Sequence, residues 1–214
     1  IDVVLEVIMH PDFRSEDTIN KINAICKERR IPVTIAEKPF NILSQKGNCY
    51  VIGVISKKKH QEMKLTEGNH VVLVNPSDAG NMGTIIRMAD AFDFDAVVIT
   101  EGCCDPFNEK TLRSSMGSCW HIPIIKISDV EEFMLFAKEE GITSIAMHLQ
   151  GEVLSESELK LPIAFLIGNE GNGLSEKASG LCDKMVKIPM MGEAESLNAA
   201  SAASIIGYVL STKR

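Results

Sequence analysis

No stretch of this 214-residue chain approaches the ~20 consecutive apolar residues needed to span a bilayer, and the mean hydropathy is only +0.07. A membrane-spanning protein is not expected. The six cysteines (Cys26, Cys49, Cys103, Cys104, Cys119 and Cys182) show no CxxC spacing, and no basic-then-apolar signal segment opens the chain. Reduced thiols and a cytoplasmic location are the expectation. The chain begins at Ile1, almost inside a strand-like run, which suggests a truncated N-terminus. The five histidines (His10, His60, His70, His121 and His148) lack HxxxH or HxH spacing, so no metal site is expected. Excess positive charge is missing too: the net charge of -7 argues against a protein that grips nucleic acid over its whole surface. There is no internal repeat and no low-complexity tract.

What is present is a globular composition, 45% hydrophobic and 24% charged. The length suits one large α/β domain, or a standard domain with a smaller one attached. Charge divides the chain. Residues 1–70 hold 11 Lys and Arg against 9 Asp and Glu, whereas residues 71–214 hold 11 against 20. The basic residues of the first part cluster at Lys27, Arg29 and Arg30 and at Lys57, Lys58 and Lys59. Such runs are commonly solvated surface, but the asymmetry makes this part the better candidate for contacting a polyanion.

Residues 3–9 form an apolar, β-branched run, and Ile19, Ile22 and Ile25 come next at helical spacing within 16–30. After Pro32 come the short run VTIA, a helix expected around 37–45 and a strand at 50–56. The segment KKKHQEMKLTEGN has charge without periodicity, as a linker does, so domains of 1–64 and 65–214 are expected. Strands are then expected at 71–74, 96–100, 123–127, 142–147, 163–167 and 184–188. Helices are expected at about 82–92, 108–115 and 129–139, with a long one from about 195. This alternation predicts a parallel sheet covered on both faces, with ligands beyond the carboxyl ends of its strands.

Three loops at those ends carry the candidate chemistry. In NPSDAGNMGTIIRMADAF (75–92), Gly80 and Gly83 permit a tight turn, Asn81 is placed to cap the next helix, and Arg87 comes six residues later. In FLIGNEGNGLS (165–175), the spacing from Gly168 to Gly173 and Ser175 matches a phosphate-binding frame, but Leu174 stands where the lysine should be. An ordinary NTPase is rejected on that ground, and GxxGxG does not match the dinucleotide fingerprint. In IPMMGEAESLNAASAASIIGYVL (188–210), Glu195 or Ser196 is expected to cap a helix rich in Ala and Ser. Its small residues suit either packing on the sheet or a dimer contact.

Taken together, AGNMGTIIRMADAF, FLIGNEGNGLS and IPMMGEAESLNAAS resemble, in that order, the motifs of the SpoU/TrmH family of RNA ribose 2′-O-methyltransferases in the SPOUT superfamily. TLRSSMGSCWHIPI (111–124) looks like the family's stretch between the first two motifs. The resemblance covers about residues 70–212, and residues 1–60 are similar to the small L30e/L7Ae-like substrate-binding domain. It implies an α/β fold with a parallel sheet and a C-terminal trefoil knot, an exception to the rule against threading. It also implies S-adenosylmethionine as cofactor, no metal, a homodimer that completes the site, and RNA as substrate, ribosomal in preference to transfer RNA.

Carried over by resemblance, Gly168, Ile188 and Leu197 would frame the cofactor. Asn81, Arg87, Glu170, Ser196 and Asn198 match the functional polar positions, with Ser196 and Asn198 holding Arg87 or the ribose. Lys57, Lys58, Lys59, Arg29 and Arg30 are the RNA-binding candidates. One departure stands out: the family's Asp-Pro pair, with Asn three positions after that Asp, is here Asn75 and Asp78. The rival readings are a non-catalytic RNA-binding protein that keeps the scaffold, and an enzyme for a different adenine nucleotide. Cys103 and Cys104 are expected to be structural thiols, and Phe107 and Trp120 packing residues.

Overall fold

The computed structural model describes residues 4–43, 48–56, 65, 67–154 and 159–212. The chain divides into two compact units, Ile1–Glu62 and Met63–Arg214. In the first, β1 (Val4–Met9) is the middle strand of three: it runs parallel to β2 (Val33–Ile35) and antiparallel to β3 (Val51–Ile55). Helices α1 (Glu16–Glu28) and α2 (Lys38–Leu43) connect them and bury Cys26 and Phe40.

The second unit is built on a parallel sheet. Its strands are β4 (His70–Leu73), β5 (Ala96–Thr100), β6 (Ile124–Ile127), β7 (Thr143–Val153), β8 (Ile163–Ile167) and β9 (Lys184–Lys187), in the order β6-β5-β4-β8-β7-β9. The helices are α3 (Ala79–Ala91), α4 (Glu109–Ser115), α5 (Val130–Glu139), α6 (Glu176–Gly180) and α7 (Ala199–Ser211). Side chains alternate across each strand. Val71, Leu73, Val97, Ile99, Phe165 and Ile167 therefore pack with residues of α3 and α7, while Val72, Val98, Ala164 and Leu166 pack with Phe133 of α5 and Ala178 of α6. Coverage on both faces explains why these strands read as unbroken apolar runs. Each fully buried Ile or Phe contributes about 1.5–3 kcal/mol relative to exposure. No helix among the described residues is long and apolar enough to cross a membrane.

Two helix starts differ from expectation. Helix α3 begins three residues before the expected start, because Asp78 in extended backbone is its N-cap and accepts the Asn81 amide at 2.8 Å. Asn81 is inside the first turn, which frees its side chain. Gly80 and Gly83 also lie in α3, and at Gly83 a Cβ would collide with the Ser114 hydroxyl and the Thr111 carbonyl, so glycine lets α4 pack at backbone distance. Helix α7 begins at Ala199. Its N-cap is Asn198, not Glu195 or Ser196: Asn198 Oδ1 accepts from the amides of Ala200 (2.9 Å) and Ser201 (3.3 Å).

Candidate active site

The three loops meet at the carboxyl edge of the sheet. After β8 the chain reverses sharply: Asn169 and Gly173 exchange two backbone hydrogen bonds, 3.1 and 2.8 Å. Asn169 Oδ1 accepts from the amides of Gly171 (2.9 Å) and Asn172 (3.3 Å), and its Nδ2 donates to the Asn75 carbonyl at 3.0 Å. The turn is so tight that a Cβ on Gly168 would lie inside the Gly173 carbonyl and the Leu174 nitrogen. It carries Glu170 toward the start of α3.

There the carboxylate collects four donors. Oε2 accepts from the Ser77 amide (3.1 Å) and hydroxyl (3.0 Å), while Oε1 accepts from the Asp78 amide (3.1 Å) and Asn81 Nδ2 (3.1 Å). Partial burial works against the charge, but the Ser77 amide and the other donors outweigh it and hold Glu170 down to about 2.

The carboxylate also fixes the polarity of the amides beyond it. Because it can only accept, Asn81 must turn its NH2 toward it and its carbonyl oxygen away. That oxygen accepts from Asn198 Nδ2 at 2.9 Å. Asn198 is then left with its own oxygen for the amides of α7. One ionised group thus orients two amide side chains and the N-terminus of the last helix.

Beside this relay lies a cavity of about 410 Å³. Its walls include residues 147–150 of β7, the loop 167–174, and 186–188 with Met190, Glu195, Ser196 and Leu197. The sequence-derived candidates Gly168, Glu170, Ile188, Ser196 and Leu197 all line it, whereas Asn81 and Asn198 stand in the relay next to Glu170. Asn198 holds Asn81, not Arg87. Arg87 is exposed on α3 and is not part of the cavity wall. Arg29 and Arg30, both exposed, end α1 in the other unit. Lys57, Lys58 and Lys59 lie outside the described residues.

Sequence reasoning missed Ser77, Asn169 and Lys110. Ser77 and Asn169 had a weak signal, being small polar residues at strand ends. Lys110 had none, since it reaches Asp78 from a different helix (2.6 Å). The thiols are structural in character: burial raises Cys103 and Cys104 and pushes Cys182 up to about 12. Phe107 and Trp120 stack on each other at 5.6 Å.

Residues 68–208 match the model of the SpoU rRNA Methylase family. The chain is 40% identical over 151 residues to the 23S rRNA (guanosine(2553)-2'-O)-methyltransferase RlmP of Bacillus subtilis; the match covers 70% of this chain and 60% of that protein's length. Among solved structures it resembles the SpoU methyltransferase AviRb of Streptomyces viridochromogenes in complex with the cofactor AdoMet, with 26% identity and a TM-score of 0.79, covering 99% of this chain and 83% of the other. An AdoMet-bound rRNA methyltransferase of Sinorhizobium meliloti is similar at 27% identity and a TM-score of 0.78, over 96% and 78% of the two chains.

Proposed function

The chain belongs to the SpoU rRNA Methylase family, and from that premise we propose that it transfers a methyl group from S-adenosylmethionine to a ribose 2′-hydroxyl of structured RNA, ribosomal in preference to transfer RNA. The observation that carries this reading is the relay of Glu170, Asn81 and Asn198, which ties the three motif loops together beside the cavity. The family match and the likeness to AdoMet-bound methyltransferases favour an enzyme over a scaffold that only binds RNA. The substrate class is taken from the relatives: RlmP acts on 23S rRNA.

The residues present fit the cofactor. A volume of about 410 Å³ falls in the range of small-molecule sites, ~300–1,000 Å³. Ile167, Leu174, Ile188 and Leu197 offer apolar walls to an adenine ring, and Glu195 places a carboxylate on the wall for a cationic ligand. When bound, S-adenosylmethionine supplies a methyl group already activated by its sulfonium charge.

The chain's own groups then have to align the acceptor oxygen and handle its proton. Glu170, held down to about 2, is too weak a base for that task and serves as the fixed anchor of Asn81. Ser196 lines the cavity, and we assign it to hydrogen-bonding the ribose. Arg87 is a poor base, as any guanidinium is, with a pKa above about 12. Its role is to orient phosphate and stabilise developing alkoxide charge.

Because Arg87 lies outside the cavity wall of its own chain, we assign completion of the site to a homodimer. Exposed Ile205 and Tyr208 on α7 supply apolar surface for that contact. The trefoil knot is supported by β8 lying between β4 and β7, by β9 on the far side of β7, and by the return of α7 to α3, where Tyr208 meets Phe92. We assign residues 1–64 to an L30e/L7Ae-like RNA-binding domain and 65–214 to the methyltransferase domain. The order β-α-β-α-β in the first unit supports that assignment. All six cysteines are free, as suits a reducing cytoplasm.

Labelled-methyl transfer from S-adenosylmethionine to separated ribosomal and transfer RNA, with mapping of the product, tests the proposal. Label on a ribose 2′-oxygen of ribosomal RNA is expected. Label on a base, or binding of ATP without S-adenosylmethionine, would overturn it.

A further inference from the structure

The relay has a second anchor outside the three motif loops. Lys110 of α4 reaches across the first turn of α3, where its Cε would be 3.0 Å from a Cβ on Gly80, and its Nζ donates to Asp78 Oδ2 at 2.6 Å. Asp78 Oδ1 accepts the Asn81 amide at 2.8 Å, and the Asp78 amide donates to Glu170 Oε1 at 3.1 Å. Asp78 is therefore bound at once to the scaffold helix, to the relay's central residue and to its charge. The platform beneath it is firm. Gly83 packs on the backbone of α4, and Ser114 Oγ reaches the Ala79 carbonyl at 3.5 Å.

Charge gives Lys110 a second task. Asp78 and Glu170 are two carboxylates linked through one peptide amide, and both act on the neighbouring Cys104 thiol, which burial already raises. Without a cation, the Asp78 carboxylate is a like charge facing the one the loop must hold. Position 78 also lies at the N-terminus of α3, where a negative charge is favoured.

We infer that Lys110 is a positioning residue for methyl transfer: by gripping Asp78 it fixes the amides of residues 77 and 78 on Glu170, and through Glu170 the orientation of Asn81. The inference rests on the proposed methyltransferase activity and adds a residue to it. Both partners of the pair are exposed, with side-chain accessibilities of 59% and 41%, and exposed ion pairs add little to global stability. The effect therefore belongs in turnover, not in folding.

The test compares Lys110→Met, Lys110→Arg, Asp78→Asn and the Lys110→Met/Asp78→Asn double variant in methyl transfer and thermal melting. Asparagine keeps an oxygen for the helix cap and removes both the charge and the acceptor that Lys110 uses. Lys110→Met and Asp78→Asn should each lower kcat by about two- to fivefold, the scale of one exposed ion pair, with KM for RNA and the melting temperature unchanged. The double variant should be no worse than either single one, and Lys110→Arg should retain most of the activity. Unchanged kcat, additive losses, or a rise in KM for Lys110→Met alone would overturn the inference; the last would put Lys110 on an RNA phosphate. If the wild-type protein transfers no methyl group to any RNA, the functional reading fails by itself. The side-chain amide resonances of Asn81 in 15N-labelled protein then decide on Lys110: a shift in both single variants is expected, and no shift overturns it.

Discussion

Asn198 Nδ2 lies 2.9 Å from Asn81 Oδ1, although 117 positions separate the two residues in the chain. The contact joins the first turn of α3 to the N-cap of α7, and its polarity is set from the far side of Asn81 by Glu170. Asn81 is the only one of the three whose side chain touches both of the others, so it is the most informative residue to change.

Replacing Asn81 by Ala should leave the fold intact and reduce methyl transfer by about 10- to 100-fold, the range of a hydrogen bond to a charged group. Asn81→Asp should be worse, because it sets a second carboxylate against Glu170. Rates measured beside melting temperatures check this; a rate equal to wild type would remove the relay from the mechanism.

Acid stability reports on Glu170 directly. Its folded-state value is depressed from the ordinary 4.5 to about 2, so the ionised group contributes stability that is fully present above about pH 4.5 and is lost as pH falls toward 2. Asp78, lowered chiefly by the hydrogen bond from Lys110, has the same sign but adds little, because that pair is exposed. In urea titrations across this window, Glu170→Gln should show a shallower loss of midpoint than wild type. Parallel profiles would mean that the carboxylate is not held as described.

Two glycines of one loop should respond oppositely to alanine. At Gly168 the added methyl meets backbone that cannot yield, and a loss of about 1–3 kcal/mol together with weaker cofactor binding is expected. At Gly171 the nearest atom is Asn169 Oδ1 at 3.5 Å, an ordinary contact, and stability should be unchanged. Chemical denaturation and calorimetric titration with S-adenosylmethionine separate the two cases.

Arg87→Ala should fold and bind cofactor normally, because the side chain is exposed and apart from the cavity wall, and yet transfer methyl groups at least about 100-fold more slowly if it stabilises developing charge. Single-turnover assays measure this. Normal transfer would exclude Arg87 from the chemistry.

Reversing Arg29 and Arg30, or Lys57, Lys58 and Lys59, to Glu should weaken RNA affinity and flatten its dependence on salt, since each lost phosphate contact removes about one unit of slope. Filter binding over a salt series gives that slope. An unaltered slope would direct RNA to another face.

The apolar runs at 71–74, 96–100 and 163–167 made the buried parallel strands legible in the sequence, because strands covered on both faces carry no polar alternation to confuse the reading. The three motif loops were readable as well, and the resemblance to the SpoU/TrmH family supplied Gly168, Ile188 and Leu197, which line the cavity. The caps were not. Asp78 and Asn81, like Ser196 and Asn198, are all competent capping residues within a few positions of one another, and only the backbone angles decide which of them starts the helix.

The sequence by itself determined which residue types were available at the carboxyl edge of the sheet, since strand period and loop composition are local properties. The tertiary structure alone decided that Glu170 receives the side chain of Asn81, that Asn198 meets Asn81, and that Lys110 reaches Asp78. Each of those depends on hydrogen bonds between segments about 30 to 120 positions apart, and chain spacing holds no record of which distant donor a carboxylate will meet once the backbone around it is fixed.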